Sequence, residues 1–326
     1  HRRFWARMLV DLLVLVAGVA VLLSGAWVLL RGATTIAVAA GVSRVIIGAT
    51  VVAFGTSAPE LVVTVAAGAR GASGVAIGNV VGSNIANVFL VLGLTAAISP
   101  ITVHQRLIRW EIPVLLVATL LTVGFAIGGR IGPAEGLVML AGILVFVGLS
   151  PRLFPEIGEE IESDVAAPET RPTRRHLVYA VAFVGAGLAA LAVGAELIVR
   201  SASSLALEVG VSEFVVGVVV VAIGTSLPEL VTSAIAAFKD EHDLAVGNVV
   251  GSNIFNLLAV AGAGAAITGI PISDSLFEFE LPAMVLSSVI LVPLAWPRYH
   301  VGRFTGLALM AGYVLAVVVT ILRGGA

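Results

Sequence analysis

Cysteine is absent from the 326 residues, which excludes disulfides, thiolate metal sites and a cysteine nucleophile. Charge is nearly as scarce. Asp, Glu, Lys and Arg make up 12% of the chain, about half the share of an ordinary soluble domain, so a soluble globular fold is excluded. The net charge is −2 with no basic cluster, and no nucleic-acid partner is expected. The apolar–polar alternation of membrane barrel strands is also missing. What the chain has is apolar length: 59% of its residues are hydrophobic. They fall in ten windows of roughly 20 residues, enough for a helix to cross a bilayer. These are 8–30, 44–70, 74–98, 110–128, 132–150, 177–200, 212–238, 243–268, 279–296 and 303–323. The expected fold class is an all-α polytopic membrane protein with ten transmembrane helices. The first window follows a basic head, as in a signal peptide, but it is long enough to span and has a counterpart deeper in the chain.

That counterpart belongs to a duplication. At an offset of 169 positions, "GAWVLLRGA" (25–33) falls on "GAELIVRSA" (194–202), and "GVSRVIIGATVVAFGTSAPELV" (41–62) on "GVSEFVVGVVVVAIGTSLPELV" (210–231). "AIGNVVGSNIAN" (76–87) likewise falls on "AVGNVVGSNIFN" (245–256). Each unit holds five windows, an odd number, so the second must enter the membrane in the opposite sense. The result is two inverted five-helix repeats, the plan of many secondary transporters, whose sites lie at mid-membrane on broken helices. The units are residues 1–150 and 177–326, joined by a polar, proline-containing linker, 151–176, expected to be solvated and cytoplasmic. Most loop arginines, and Lys239, fall on the linker side, which places both termini outside by the positive-inside rule.

Two windows contain a hexapeptide unsuited to lipid, "GTSAPE" (55–60) and "GTSLPE" (224–229). The spacing S-x-x-E is that of a capping box, and proline is tolerated just inside a helix start. The chain is therefore expected to end one half-helix and begin another at Ser57 and at Ser226, leaving backbone carbonyls free. Capping does not account for Glu60 and Glu229: a cap stabilises by about 1 kcal/mol, whereas a carboxylate at mid-membrane costs several. A bound cation does account for them.

The second motif supplies more oxygen. Asn79, Ser83 and Asn87 recur every four residues on one helix face, as do Asn248, Ser252 and Asn256. Gly78, Gly82, Gly247 and Gly251 form a close-approach groove beside them. Ser83, Asn87, Ser252 and Asn256 are read as ligands, and Asn79, Asn84, Asn248 and Asn253 as interhelical packing. Two carboxylates, two amide carbonyls, four or more hydroxyls and exposed backbone carbonyls form an all-oxygen cage that suits hard cations. Its charge is neutralised by one Ca²⁺ or two Na⁺. Empty, the two carboxylates repel in a low dielectric, so a carrier crosses loaded, and the counter-ion on this reasoning is Na⁺ or H⁺.

At these residues the sequence resembles the sodium/calcium exchangers of the cation/calcium antiporter superfamily, whose two repeats carry G-T-S-x-P-E and G-N-x-x-G-S-N. The resemblance covers nearly all of the chain outside the linker. It implies a ten-helix antiporter that expels Ca²⁺ against Na⁺ by alternating access, with windows 8–30 and 177–200 sliding over the rest. It further implies that Glu60 and Glu229 are shared Ca²⁺ and Na⁺ ligands and that Thr56 and Thr225 bind through backbone carbonyls. Ser57, Ser83, Ser226 and Ser252 would bind Na⁺ through hydroxyls, Ala53 and Ala222 would lend carbonyls to flanking Na⁺ sites, and Asn87 and Asn256 would pair centrally. Against the family's pattern, where potassium-dependent relatives carry Asp at the position of Asn256 and proton-driven ones replace the Thr-Ser, the resemblance implies no K⁺ co-transport and favours Na⁺ over H⁺. No resident cofactor is expected, since Ca²⁺ and Na⁺ are cargo, and the chain is expected to act as a monomer in a prokaryotic plasma membrane. The rivals are an H⁺/Ca²⁺ antiporter, a passive cation channel and, from another class, an intramembrane hydrolase. Elsewhere Glu196 is placed to pair with Arg200 four residues on, Glu111 and Glu280 read as helix N-terminal carboxylates, and "KDEHD" (239–243) reads as a solvated turn.

Overall fold

The computed structural model describes residues 2–40, 44–102, 107–150, 174–208, 222–294 and 300–324; the linker from 151 to 173 lies outside them. The described chain is almost entirely helical, as a membrane interior requires of a backbone that water cannot satisfy. Two long helices, α1 (Arg2–Ala40) and α9 (Arg174–Glu208), pack against each other in antiparallel sense. Their seam is made of small residues. A Cβ built at Gly25 would lie 2.8 Å from the Ala190 Cβ, and one at Gly187 would lie 2.6 Å from the Leu29 nitrogen. Lipid gives helices no hydrophobic reason to associate, so such close backbone contact is what holds a membrane pair. Leu22 and Leu191, equivalent positions in the two repeats, are both buried at the middle of this seam.

The first half continues through α2 (Arg44–Ile47), a π turn (Gly48–Val52), α3 (Ala53–Thr56) and α4 (Ala58–Ala69). Next come α5 (Ser73–Ala86), a π turn (Asn87–Leu92) and α6 (Gly93–Ile98). It closes with α7 (Ile112–Ala126) and α8 (Pro133–Leu149). After α9 the second half repeats the order as α10 (Ala222–Thr225), α11 (Leu227–Phe238), α12 (His242–Phe255), a π turn (Asn256–Val260) and α13 (Ala261–Thr268). It ends with α14 (Glu280–Leu294) and α15 (Arg303–Gly324). Two short antiparallel strand pairs tie the halves together: Ile101–Thr102 with His300–Val301, and Arg130–Ile131 with Ile270–Pro271.

Burial orders these helices. In the most apolar 18-residue window of His242–Thr268, 94% of the residues are buried, against 17% in that of Arg303–Arg323, so α12 and α13 lie in the centre and α15 shows most of its surface outward. The main apolar cluster is drawn from α5 to α8 and α12 to α15. A separate one joins α1 and α9 to Ile47 and Val52. The α1–α9 pair is thus a layer of its own laid over the rest.

Among the described residues seven helices are long and apolar enough to cross a membrane, or eight with the bent pair Gly48–Thr56 and Ala58–Ala69 taken as one. The sequence predicts ten. The difference has two sources: α8 has 17 residues, short for a full crossing, and window 212–238 is described only from residue 222 onward. Gly187 supplies a test of the seam. Gly187→Val should destabilise the protein by about 1–3 kcal/mol through overpacking, read as a lowered midpoint of thermal unfolding in detergent. Gly185→Val, two residues away with nothing within 4 Å of its Cβ position, should leave the midpoint nearly unchanged.

Candidate ion-binding site

Both hexapeptides kink a helix at one residue. Ser57 lies between α3 and α4 at φ −82°, ψ 6°, and the helices on either side differ in direction by 48°. Ser226 repeats the conformation between α10 and α11 at φ −89°, ψ 6°. Pro59 and Pro228 supply no N–H to the carbonyl four residues back, so the ladder is interrupted there. The expected break is therefore a kink. The capping box does not form: neither serine hydroxyl caps its helix. Ser57 Oγ instead donates to Glu229 Oε1 (3.0 Å) and Ser226 Oγ to Glu60 Oε1 (3.4 Å). An unpaired carboxylate oxygen in a dry interior costs more than an unpaired helical N–H, and the hydroxyls go where the cost is greater. Each glutamate is thus held by the serine of the other repeat.

Asparagines fix the backbone behind each glutamate. Asn79 Nδ2 donates to the Glu60 carbonyl (3.0 Å) and Thr64 Oγ1 (2.9 Å). Asn248 Nδ2 donates to the Glu229 carbonyl (3.5 Å) and Ser233 Oγ (3.0 Å). Threonines close the cross-links, Thr56 Oγ1 donating to Asn248 Oδ1 (3.2 Å) and Thr225 Oγ1 to Asn79 Oδ1 (3.5 Å). Ser83 adds a hydroxyl beside Glu60, and Thr56 and Ser252 add theirs beside Glu229. Gly251 makes the predicted close approach, its Cβ position 2.5 Å from the Ala49 Cα. At Gly78 and Gly82 nothing among the described residues comes within 4 Å, so the predicted groove is not seen there.

The central asparagines begin the two π turns, Asn87–Leu92 and Asn256–Val260, a distortion that recurs at functional sites. Asn87 Nδ2 donates to Asn253 Oδ1 (3.0 Å), and Asn253 Nδ2 to the Asn84 carbonyl (3.4 Å). Asn256 is fully buried, yet neither its oxygen nor its nitrogen has a partner. The Ala53 carbonyl, predicted to flank the site, already accepts from Ser57 N–H (3.0 Å), and the N–H of Ser226 donates to the Ile223 carbonyl (3.1 Å).

Glu60, Glu229, Asn87 and Asn256 have no measurable exposure, and Thr56, Ser57, Ser83, Thr225, Ser226 and Ser252 are buried with them. Glu60 Oε2, Glu229 Oε2, Asn84 Oδ1, Asn87 Oδ1 and Asn256 Oδ1 accept no hydrogen bond. Buried acceptors left in this state are rare in folded proteins. Among the described residues there is no cluster of three or more His, Cys, Asp or Glu. The set has the oxygen chemistry of a hard-cation site.

Known proteins share this architecture. The sodium/calcium exchanger protein family matches residues 10–150 and 179–322. The chain belongs to that family. The inner membrane protein YrbG of Escherichia coli is 32% identical over 311 residues, 94% of this chain and 96% of that protein. The sodium/calcium exchanger MaX1 of Methanosarcina acetivorans is 30% identical over an alignment of 343 positions, gaps included, covering 95% of this chain and 98% of its own. The solved sodium-calcium exchanger NCX_Mj, soaked with zero Na⁺ and Ca²⁺, superposes with a TM-score of 0.83 at 30% identity, covering 96% of this chain and 99% of that one. As an exchanger-family protein with long apolar helices, the chain is an integral, multi-pass membrane protein.

Sequence reasoning passed over Thr64 and Ser233, the hydroxyls behind the two glutamates, and Thr119 and Ser288, whose hydroxyls meet at 3.0 Å between the halves. Both pairs align in the duplication, so a polar side chain repeated inside an apolar window was the available signal. Asn79→Ala and Asn248→Ala should each cost about 1–3 kcal/mol, the penalty for stranding a buried carbonyl and a hydroxyl. The losses should match in size, and thermal unfolding in detergent without added cations measures them.

Proposed function

We propose that this exchanger-family chain is a secondary antiporter that moves Ca²⁺ against Na⁺, with Glu60 and Glu229 as the carboxylates both ions share. One observation carries the reading: two fully buried carboxylates, each with one oxygen unpartnered, lie among unpartnered amide oxygens. Two charges in a dry interior are costly unless compensated, and one Ca²⁺ or two Na⁺ compensates them equally. Exchange follows, because the vacant site bears the full cost and crossing without cargo is disfavoured. Thr56, Ser57, Ser83, Asn87 and their counterparts Thr225, Ser226, Ser252 and Asn256 complete the oxygen shell, and Ala53 and Ala222 flank it.

Around this site we read ten spans as two inverted five-helix units, residues 1–150 and 177–326, with 151–176 as a cytoplasmic linker and both termini outside. The antiparallel packing of the equivalent helices α1 and α9 supports inversion. Their separate apolar cluster supports their being the layer that slides to open the site to either side. All the proposed ligands come from one chain, so a monomer suffices, and the setting is a prokaryotic plasma membrane. The names of MaX1 and NCX_Mj support Na⁺ and Ca²⁺ as the ions, and no reacting group calls for enzymatic chemistry.

The test is ⁴⁵Ca²⁺ uptake into proteoliposomes loaded with Na⁺ or, separately, holding an outward proton gradient. Uptake should follow Na⁺ alone. Glu60→Gln or Glu229→Gln should reduce it more than a hundredfold, since losing one partner of a buried charge set costs roughly 3–5 kcal/mol. Uptake driven by protons alone would keep the site and replace the counter-ion.

A further inference from the structure

The duplication supplies an internal comparison at the membrane surface. Where α11 ends and turns toward α12, Lys239 reaches back to α1 and places its Nζ 5.1 Å from the centre of the Trp27 ring. Arg31, one turn along α1, places its guanidinium carbon 5.3 Å from the centre of the same ring. Two cations from two helices thus share one aromatic face-bearing group and lie within about 10 Å of each other. Neither forms an ion pair among the described residues. Asp240, next in the chain, adopts a left-handed conformation (φ 57°) and lies 3.8 Å from His242. Trp27 is 45% exposed and Phe238, beside Lys239, is 72% exposed. Phe238 is the last residue of α11, and an exposed aromatic at the end of a membrane helix marks the headgroup level; Trp27, within α1, meets that end through Lys239.

The equivalent place on the other half is built differently. Arg200 stands where Arg31 does and Arg70 where Lys239 does, but Glu196 replaces Trp27. Glu196 pairs with Arg200. One end of the molecule therefore pairs its arginine with a carboxylate, and the other gathers two positive charges around a tryptophan, with the carboxylates of Asp240, Glu241 and Asp243 following Lys239 in the chain. Leu30, buried with Ala236, Leu244 and Ala245, seats this turn of α1 against α11 and α12 and fixes the spacing of the two cations. Two cations that flank one exposed tryptophan and have no ion-pair partner among the described residues suit an anion, and at headgroup depth the anion at hand is a phosphate. The cytoplasmic leaflet carries the anionic lipids, and by loop charge the Arg31 and Lys239 face is the cytoplasmic one.

We propose that Arg31 and Lys239, with Trp27 between them, bind the phosphate of an anionic phospholipid headgroup, joining α1 to the end of α11. This site is separate from the ion site and does not rest on the identity of the transported ions. Native mass spectrometry of the whole chain in detergent tests it, titrating phosphatidylglycerol, phosphatidylcholine with the same acyl chains, or inorganic phosphate. One phosphatidylglycerol should bind more tightly than any phosphatidylcholine. Arg31→Gln and Lys239→Gln should each weaken that adduct on the order of fivefold, and Arg31→Lys should largely keep it. Arg200→Gln and Arg70→Gln should leave it unchanged. Equal phosphatidylglycerol binding by wild type, Arg31→Gln and Lys239→Gln would overturn the proposal, as would an equal loss in the Arg200 and Arg70 variants. An Arg31-dependent adduct with inorganic phosphate and not with phosphatidylglycerol would overturn the lipid as its source.

Discussion

Two glutamates sit where neither water nor lipid can solvate them, and the surrounding structure is arranged around that cost. The kinks at Ser57 and Ser226 start a helix just before each glutamate, placing Glu60 and Glu229 in the first turn of α4 and α11. The positive end of a helix dipole favours negative charge there. Serine hydroxyls from the opposite repeat take one oxygen of each carboxylate, and asparagines hold the backbone carbonyls behind them. The second oxygen of each glutamate is left over. A fold evolved for stability alone would place apolar side chains here, which pack without desolvation cost. The polar shell makes physical sense with a cation as its missing member.

Reciprocity is the second consequence. Because Ser57 serves Glu229 and Ser226 serves Glu60, neither half contains a complete site. The same crossing recurs in Thr56 with Asn248 and in Thr225 with Asn79. On the proposed reading, ion binding would therefore draw on both halves at once. The symmetry fails at the central asparagines, where Asn87 Nδ2 is bonded and Asn256 Nδ2 is not. The difference is local, and it changes which polar atoms are available on one side of the site.

Much of this was legible before any coordinates. Long apolar helices followed from apolar length, although seven or eight of the ten expected spans qualify among the described residues. The contacts between the hexapeptide and asparagine motifs of the two halves followed from their repetition. Glu60 and Glu229 stood out because a carboxylate at the middle of such a window costs more than a helix cap returns. Other features were not legible for physical reasons. A π turn inserts one residue without a composition cue, so those at Asn87 and Asn256 were invisible. The serine of S-x-x-E was read locally as a cap, because sequence spacing knows nothing of a carboxylate approaching from 172 positions away. Close approach at Gly251 was correctly expected from small residues, but the longer seam of α1 and α9 pairs glycines across two distant windows. The 48° kink was expected as a fuller break, since a single residue at ψ near zero already frees the carbonyls that proline strands.

The central claim is that Ca²⁺ and Na⁺ occupy one set of oxygens. Equilibrium ⁴⁵Ca²⁺ binding to the purified wild-type protein, titrated with Na⁺ at constant ionic strength, tests it most directly. The account predicts full displacement, with a midpoint that rises as Ca²⁺ is raised and a Na⁺ dependence steeper than one ion per site. Retention of Ca²⁺ at saturating Na⁺, with both ions bound together, would contradict it.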